Sequence, residues 1–463
     1  MALLKRVVPA VSGSESPVGR RLEEQAARTS DNVALLAPGR SASTSRPPVP
    51  WSRRAGDAGL GLEHSVSALR ARTGRTVRSI TLLTGLFTPG GAERVLTVLA
   101  NHWAERGVQV SALAIGDTGE PPFFPLHPDI EVRALGLETD KGGLVRGATN
   151  NAWRVARLRA ELQRLAPDVV ISFQHRTNVL TLLASLGLGI PVIVSERSDP
   201  ALRDAGWTWT LLRRVMYHSA HAVVCQGDRI CDYFTGRIQR KIRVIPNPVI
   251  NPDAEALSVR RSSADEGGSR LVVALGSLRP VKGFDLLITA FASVAARHPT
   301  WRLVIWGDGE SRAELGAQVV RLGMTDRILL PGVTQEPSRH LAEADVFVMP
   351  SRVEGFPNAL CEAMALGLPV VATDVGAVSE IVRRGIDGVL VPPDDSGALA
   401  AAMRQLMDSG ADRRRLGNRA QSIVKRYSVE RVMGMWDELL ADAVGRQPRV
   451  SSPSEMRASR SRV

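Results

Sequence analysis

The chain has 463 residues, 44% of them hydrophobic, and a formal net charge of +12; that length accommodates two ordinary α/β domains plus extra segments. The charge lies at the ends. Residues 1–75 hold 12 Lys and Arg against 6 Asp and Glu (net +6), and residues 446–463 hold 5 Arg against 1 Glu (net +4), so the nearly neutral body gives no nucleic-acid signal and no nucleic-acid partner is expected. Cys225, Cys231 and Cys361 show neither metal-ligand spacing nor an even disulfide set, which suits a reducing cytoplasm. No apolar run reaches spanning length, and "MALLKRVVPAVSG" is too short in its apolar core for a secretory signal.

Residues 1–75, rich in Ser, Arg, Gly and Pro without periodicity, are expected to be a disordered basic extension, and residues 446–463 a basic disordered tail. Such ends can hug anionic lipid or nucleic acid, but solvated disorder is the expectation. Between them strands and helices alternate. "VRSITLLTGL" reads as a strand, "GGAERVLTVLANHWAERG" as a helix, and "VQVSALAI", "APDVVISF", "PVIVSE", "HAVVCQ" and "KIRVIPNPV" as further strands over a first domain, 76–248. "NPVINPDAEALSVRRSSADEGGS" reads as a polar linker. The alternation restarts at "RLVVALGSL" and continues through "WRLVIWG", "RILLPG", "EADVFVMPS", "PVVATD" and "GVLV" over a second domain, 249–428. Residues 429–445 predict a terminal helix packing back across both domains. The pattern is that of parallel βαβ units wound right-handed, and two such halves joined near residue 250 leave a cleft between them.

Three loops carry candidate chemistry. Gly90 and Gly91, between a strand and a helix, either make a plain tight turn or bring backbone N–H groups up to an anion. Arg279 and Lys282 follow the first strand of the second half, where open α/β sheets bind ligands; they are either solvated loop cations or diphosphate contacts. In "SRVEGFPNALCEAMALGLP" Pro357 suits a first helical turn, which starts the helix at Pro357–Asn358. Glu354 then precedes the helix and Glu362 lies about one turn in. A diphosphate at that helix N-terminus would repel both carboxylates, leaving them to accept hydroxyls on either side of it, sugar and ribose. A nucleotide-sugar donor has that shape.

Residues 77 to about 443 resemble glycosyltransferase family 4, through "GGAERV", "DVVISF", "VSERSDP", "VIPNPV", "KGFDLLITAF", "PGV" and above all the E-x7-E run around Glu354 and Glu362. The resemblance implies the GT-B architecture, two Rossmann-like domains facing a central cleft. It also implies retaining transfer from a nucleotide sugar without an essential metal or other cofactor. By position it gives Lys282 the donor diphosphate, Glu362 the ribose hydroxyls and Glu354 the transferred sugar, with Gly355, Phe356, Pro357 and Asn358 shaping the turn around sugar and phosphate. Gly332 and Val333 would lie beside the base, and Gly90 and Gly91 would reach donor or acceptor. Where the family often has Arg after the glycine, this chain has Ser277, so Arg279 either substitutes or one phosphate contact is lacking.

His175 is placed by location as an acceptor-side base or an ordinary loop histidine, and Asn178, Glu196 and Arg197 either order the acceptor pocket or tie loops together. "GWTWTLLRRVMYHS" suits a membrane-interface helix or packing inside the first domain. The expectation is a cytoplasmic transferase using a UDP- or GDP-hexose or HexNAc and a glycan or lipid-linked acceptor, with contact at the inner face of an anionic membrane. A silent nucleotide-sugar-binding protein and a two-carboxylate glycoside hydrolase are the alternatives.

Overall fold

The computed structural model of the chain describes residues 76–137, 144–197, 206–265 and 269–445; the expected disordered extension and tail lie outside them. The described residues form two compact units, one up to Pro248 and again from Tyr427, the other Val249–Arg426.

The first unit is built on seven strands: β1 (Ser79–Thr84), β2 (Gln109–Ala114), β3 (Glu131–Ala134), β4 (Val169–Phe173), β5 (Val192–Ser195), β6 (Ala222–Cys225) and β7 (Ile242–Val244). They lie in the order β3-β2-β1-β4-β5-β6-β7, every pair parallel. Segments such as VVISF and AVVC are almost wholly apolar and buried throughout, because helices cover both faces of a parallel sheet. The helices are α1 (Gly91–Ala104), α2 (Leu144–Leu165), α3 (His175–Ser185), α4 (Trp207–Met216) and the short α5 (Asp228–Cys231). Neither β3 nor α2 was expected from sequence. β3 is an edge strand whose side chains are largely exposed, and α2 is polar except for a stripe that buries Leu158 and Leu162, so neither leaves an apolar run.

The second unit repeats the plan with β8 (Arg270–Leu275), β9 (Trp301–Trp306), β10 (Ile328–Gly332), β11 (Val346–Met349), β12 (Val370–Thr373) and β13 (Val389–Val391), ordered β10-β9-β8-β11-β12-β13 and all parallel. Its helices are α6 (Ala254–Asp265), α7 (Phe284–Ala295), α8 (Arg312–Arg321), α9 (Pro337–Ala342), α10 (Asn358–Ala365), α11 (Val378–Ile381), α12 (Ser396–Asp408), α13 (Gly410–Ala420) and α14 (Ile423–Arg426). The linker-like reading is corrected at α6. The Asp253 carboxylate accepts the Ala256 N–H at 2.7 Å, which starts a helix in a segment whose Ser, Arg and Asp content resembles a loop.

The last helix, α15 (Val429–Gly445), packs into the core of the first unit. Trp436 meets Trp103 of α1 edge-on at 6.4 Å between centroids. The Trp103 indole N–H donates to Asp437 at 2.9 Å, and Arg106 donates to its other oxygen at 3.1 Å. Burial raises the Asp437 pKa against the pull of those bonds. Cys225 and Cys361 are buried core residues, and none of the three cysteines is in a disulfide.

Trp436→Ala should cost about 3–5 kcal/mol, read as a loss of Tm with α15 detaching from α1. His102, near the end of α1, has a ring Nε2 that lacks a hydrogen-bond partner among the described residues; burial first, and Arg106 second, lower its pKa from 6.5 to about 4. The unfolded chain therefore takes the proton first, so this contribution is full above about pH 6.5 and lost as pH falls towards 4. The drop in Tm across that window should be smaller in His102→Gln than in the wild type.

Candidate active site

In each sheet the strand order reverses at its centre, between β1 and β4 and between β8 and β11. Loops leaving the carboxyl ends of those strands diverge and open a crevice, the place where such sheets bind ligands.

In the second unit the loop after β8 runs through Arg279 into a 3-10 turn, Pro280–Lys282, and the loop after β11 carries Ser351 to Glu354. Across the reversal the Lys282 ammonium meets Glu354 Oε1 at 2.5 Å, and the Ser351 hydroxyl donates to the same oxygen at 2.7 Å. Both partners are mostly buried. Their approach depends on two glycines with left-handed backbones. Gly283 (φ 65°) starts α7 so close to β11 that a Cβ would stand 2.1 Å from the Pro350 carbonyl oxygen. Gly376 (φ 52°) passes behind Glu354, where a Cβ would stand 2.0 Å from its carbonyl oxygen.

Arg352 clamps the same loops. It forks onto Asp285 of α7 at 2.8 and 2.7 Å, and reaches Asp394 at 2.6 Å and the Pro280 carbonyl at 2.7 Å. Those charge-assisted bonds raise the Arg352 pKa and lower that of Asp285. Sequence reasoning missed Arg352 and Asp285, since nothing in their local spacing signals a pairing 67 residues apart.

Helix α10 begins at Asn358 after Pro357, and no side-chain hydrogen bond caps it. Its N-terminal backbone N–H groups and dipole favour an anion there. Gly355, Phe356 and Pro357 are buried in the turn, and Glu362 is half-buried one turn in while Leu360 and Met364 enter the core. Arg279 is exposed and faces Glu310 at 3.8 Å. Gly332 ends β10 with its carbonyl accepting the Gly307 N–H at 2.8 Å, and Val333 beyond it is exposed.

The first unit carries a second polar group at its own reversal. Gly90 caps α1 in an extended conformation, Gly91 is the first residue of the helix, and a Cβ at Gly90 would meet Glu93 Oε2 at 2.2 Å. Buried Glu93 accepts Thr84 Oγ1 from the end of β1 at 3.1 Å and Gln174 Nε2 from the end of β4 at 2.9 Å. Burial raises its pKa in spite of those donors. Gln174 has φ 73° and leads directly into His175, the half-buried first residue of α3. Beyond β5 the Arg197 guanidinium lies 4.5 Å over the Phe173 ring and donates to Asn247 Oδ1 at 2.6 Å. Burial lowers its pKa to about 9, with Glu93 opposing. Glu93 and Gln174 also escaped sequence reasoning, although Glu93 stands inside the glycine motif itself.

Asn178 and Glu196 belong to one buried hydrogen-bond chain. Asn178 accepts from Ser172 at 2.8 Å and donates to the Tyr217 hydroxyl at 2.9 Å, and that hydroxyl donates to Glu196, all buried. Among the described residues no three His, Cys, Asp or Glu side chains converge as metal ligands would.

Two parallel sheets of matching strand order, with an ion pair and an uncapped helix N-terminus at one reversal, define a GT-B-type α/β protein. Residues 89–250 match "Glycosyltransferase Family 4" and residues 269–409 match "Glycosyl transferases group 1". The Vi polysaccharide biosynthesis protein VipC/TviE of Salmonella typhi is 33% identical over 452 residues, covering 84% of this chain and 76% of that protein. The GalNAc-alpha-(1->4)-GalNAc-alpha-(1->3)-diNAcBac-PP-undecaprenol alpha-1,4-N-acetyl-D-galactosaminyltransferase of Campylobacter jejuni is 27% identical, covering 78% of this chain and 98% of that protein. Exopolysaccharide phosphotransferase SCO2592 of Streptomyces coelicolor is 28% identical over 77% of this chain, which spans only 40% of that relative's length. Among solved structures, Anabaena Alr3699/HepE in complex with UDP and glucose shares the fold with a TM-score of 0.65 at 22% identity, covering 79% of this chain and 99% of that one. The chain belongs to glycosyltransferase family 4.

The glycine contact makes a direct test. Gly376→Ala should lower stability by about 1–3 kcal/mol, since it adds backbone strain and drives a methyl group into the Glu354 carbonyl; turnover should fall at least about tenfold as that loop moves. Gly316→Ala, in α8 with nothing within 4 Å of the added methyl, should instead stabilise by about 0.5–1 kcal/mol. Thermal melts and initial rates of the two variants read this contrast.

Proposed function

We propose that this glycosyltransferase works with retention and without an essential metal, moving a hexose or HexNAc from a UDP- or GDP-sugar to a hydroxyl of a glycan or lipid-linked acceptor in polysaccharide or glycoconjugate synthesis. The observation that carries this is the Lys282–Glu354 pair spanning the β8/β11 reversal, in a chain of this family. The relatives named above act in polysaccharide and lipid-linked glycan synthesis, and the HepE complex with UDP and glucose supports a uridine donor.

On this reading an arriving diphosphate takes the Lys282 ammonium from Glu354, and Glu354 turns to a hydroxyl of the transferred sugar. Glu362 accepts the ribose hydroxyls, Gly332 and Val333 flank the base, and the turn from Gly355 to Asn358 gives backbone N–H groups to phosphate and sugar. The bond from the anomeric carbon to the phosphate oxygen breaks, the electron pair leaving with the diphosphate, while the acceptor oxygen bonds to the same face of that carbon. The acceptor proton passes to His175 or to the departing phosphate. Lys282 and the α10 dipole stabilise the developing charge, an effect of several kcal/mol in such preorganised sites. Arg279 would add a phosphate contact by leaving the exposed Glu310. Gly90 and Gly91 serve the acceptor-side unit.

No helix among the described residues is long and apolar enough to cross a membrane. α4, however, exposes Trp207, Leu211 and Val215 at 76, 53 and 58%, one helix face at i, i+4 and i+8, while Trp209 and Leu212 join the core. Residues 206–243 hold seven Arg and Lys against two Asp, net +5, and of the seven only Arg213 is buried. An apolar stripe among cations fits the surface of an anionic cytoplasmic leaflet, so we assign this face to peripheral membrane contact at the inner side of the cell membrane. Cosedimentation with phosphatidylglycerol vesicles should exceed that with phosphatidylcholine vesicles and be lost in Trp207→Ser/Leu211→Ser. Equal binding by wild type and variant, or no binding by either, contradicts the assignment.

The donor roles separate by kinetics. Across a panel of UDP-, GDP- and ADP-sugars with mass-spectrometric detection, Glu362→Ala should raise the donor KM about tenfold, the scale of one lost charged hydrogen bond, while Glu354→Ala chiefly lowers kcat. Nucleotide-sugar binding without transfer or slow donor hydrolysis would identify a silent binder. Absence of binding to every donor would refute the reading.

A further inference from the structure

The first unit holds an arginine with one edge of its guanidinium unbonded among the described residues. Arg197 follows β5 and is fixed on two sides: its guanidinium face lies 4.5 Å over Phe173, and Nη1 donates to Asn247 at 2.6 Å. Its other two nitrogens, Nε and Nη2, are buried and lack a hydrogen-bond partner among the described residues. Those two N–H groups point along one edge of the planar group, the edge that grips a carboxylate or phosphate through two parallel bonds. Glu93 feels the charge but is itself bonded to Thr84 and Gln174. A buried charged fork without a partner among the described residues is expensive, and unsatisfied buried groups of this kind call for an explanation.

Place and chemistry supply one. Arg197, Gln174 and Asn247 all lie just past the carboxyl ends of strands in the first unit's sheet, the edge where ligands bind, and the fork is oriented before anything arrives. We propose that Arg197 is the receptor for an oxyanion, a phosphate or a carboxylate, carried by the acceptor. The acceptor is thus an anionic saccharide or a phosphate-linked one, and a neutral glycan is a poor substrate. Calling the ligand an acceptor rests on the transferase reading; the anion site itself does not.

The test uses the full chain without donor. In 15N-edited NMR spectra the buried Arg197 Nε–H signal is assigned by its loss in Arg197→Lys, then followed during titration with methyl phosphate, D-glucuronate and, as a neutral control, methyl glucoside. A saturable shift with methyl phosphate identifies a phosphate-bearing acceptor, and one with glucuronate identifies a uronate. Asn247→Ala, which keeps the guanidinium but removes its holder, should weaken that binding at least tenfold. A signal that moves with neither anion, moves equally with methyl glucoside, or titrates unchanged in Asn247→Ala overturns the proposal. Because no donor is present, an anion response in a protein that binds no nucleotide sugar would sink the transferase reading and leave the site standing, and the converse would do the opposite.

Discussion

The Lys282–Glu354 ion pair is the contact on which the second unit's site depends. It joins two loops that the strand order sends in opposite directions, and it does so largely out of water. Removing one partner from such a pair leaves an uncompensated charge, at a cost greater than the pair's net contribution. Its surroundings are accordingly rigid. Gly283 and Gly376 allow backbone to press against backbone, Ser351 fills a second valence of the carboxylate, and Arg352 ties the loop to α7 and to Asp394. A diphosphate is the kind of ligand that can take the lysine from the glutamate, because it offers more negative charge together with the N-terminal dipole of α10.

The first unit uses the same topology for different chemistry. At its reversal the bridging group is Glu93, held by Thr84 from one strand and Gln174 from the other, with its proton affinity raised by burial. Arg197 stands beyond it with a weakened grip on its own proton, again from burial. One reversal therefore presents a cation and an uncapped helix, suited to a leaving diphosphate, and the other a buried acid and an oriented fork, suited to an anionic acceptor. The helix that completes this unit, α15, comes from the far end of the chain and locks in through Trp436 and Asp437.

Most of the fold was legible in the sequence because parallel strands covered on both faces are nearly continuous apolar runs, as VVISF and AVVC are. What escaped had the opposite property. β3 is an exposed edge, α2 is polar on most of its surface, and α6 is written in residues that also make linkers. In the site, Glu354, Pro357, Asn358 and Glu362 were legible because one loop and one helix turn carry them all. Lys282 was legible as a cation at a strand end, but its pairing with Glu354, 72 residues away, was not. Arg352 and Asp285 were invisible for the same reason. Arg279 shows the converse, since closeness in sequence to Lys282 suggested a shared task while its side chain faces Glu310. The composition of α4 could not say which aromatics pack and which face outward; the helix phase decides that, with Trp209 in and Trp207 out.

Lys282 is proposed to recognise the distal phosphate of a nucleoside diphosphate. Calorimetric titration of UDP and UMP into wild-type protein and into Lys282→Ala measures that recognition without needing an acceptor or a sugar. UDP should bind the wild type at least about tenfold more tightly than UMP, the scale of one charge-assisted hydrogen bond, and that preference should collapse in the variant while UMP binding stays nearly unchanged. A UDP preference that survives intact in Lys282→Ala would rule out that role for Lys282.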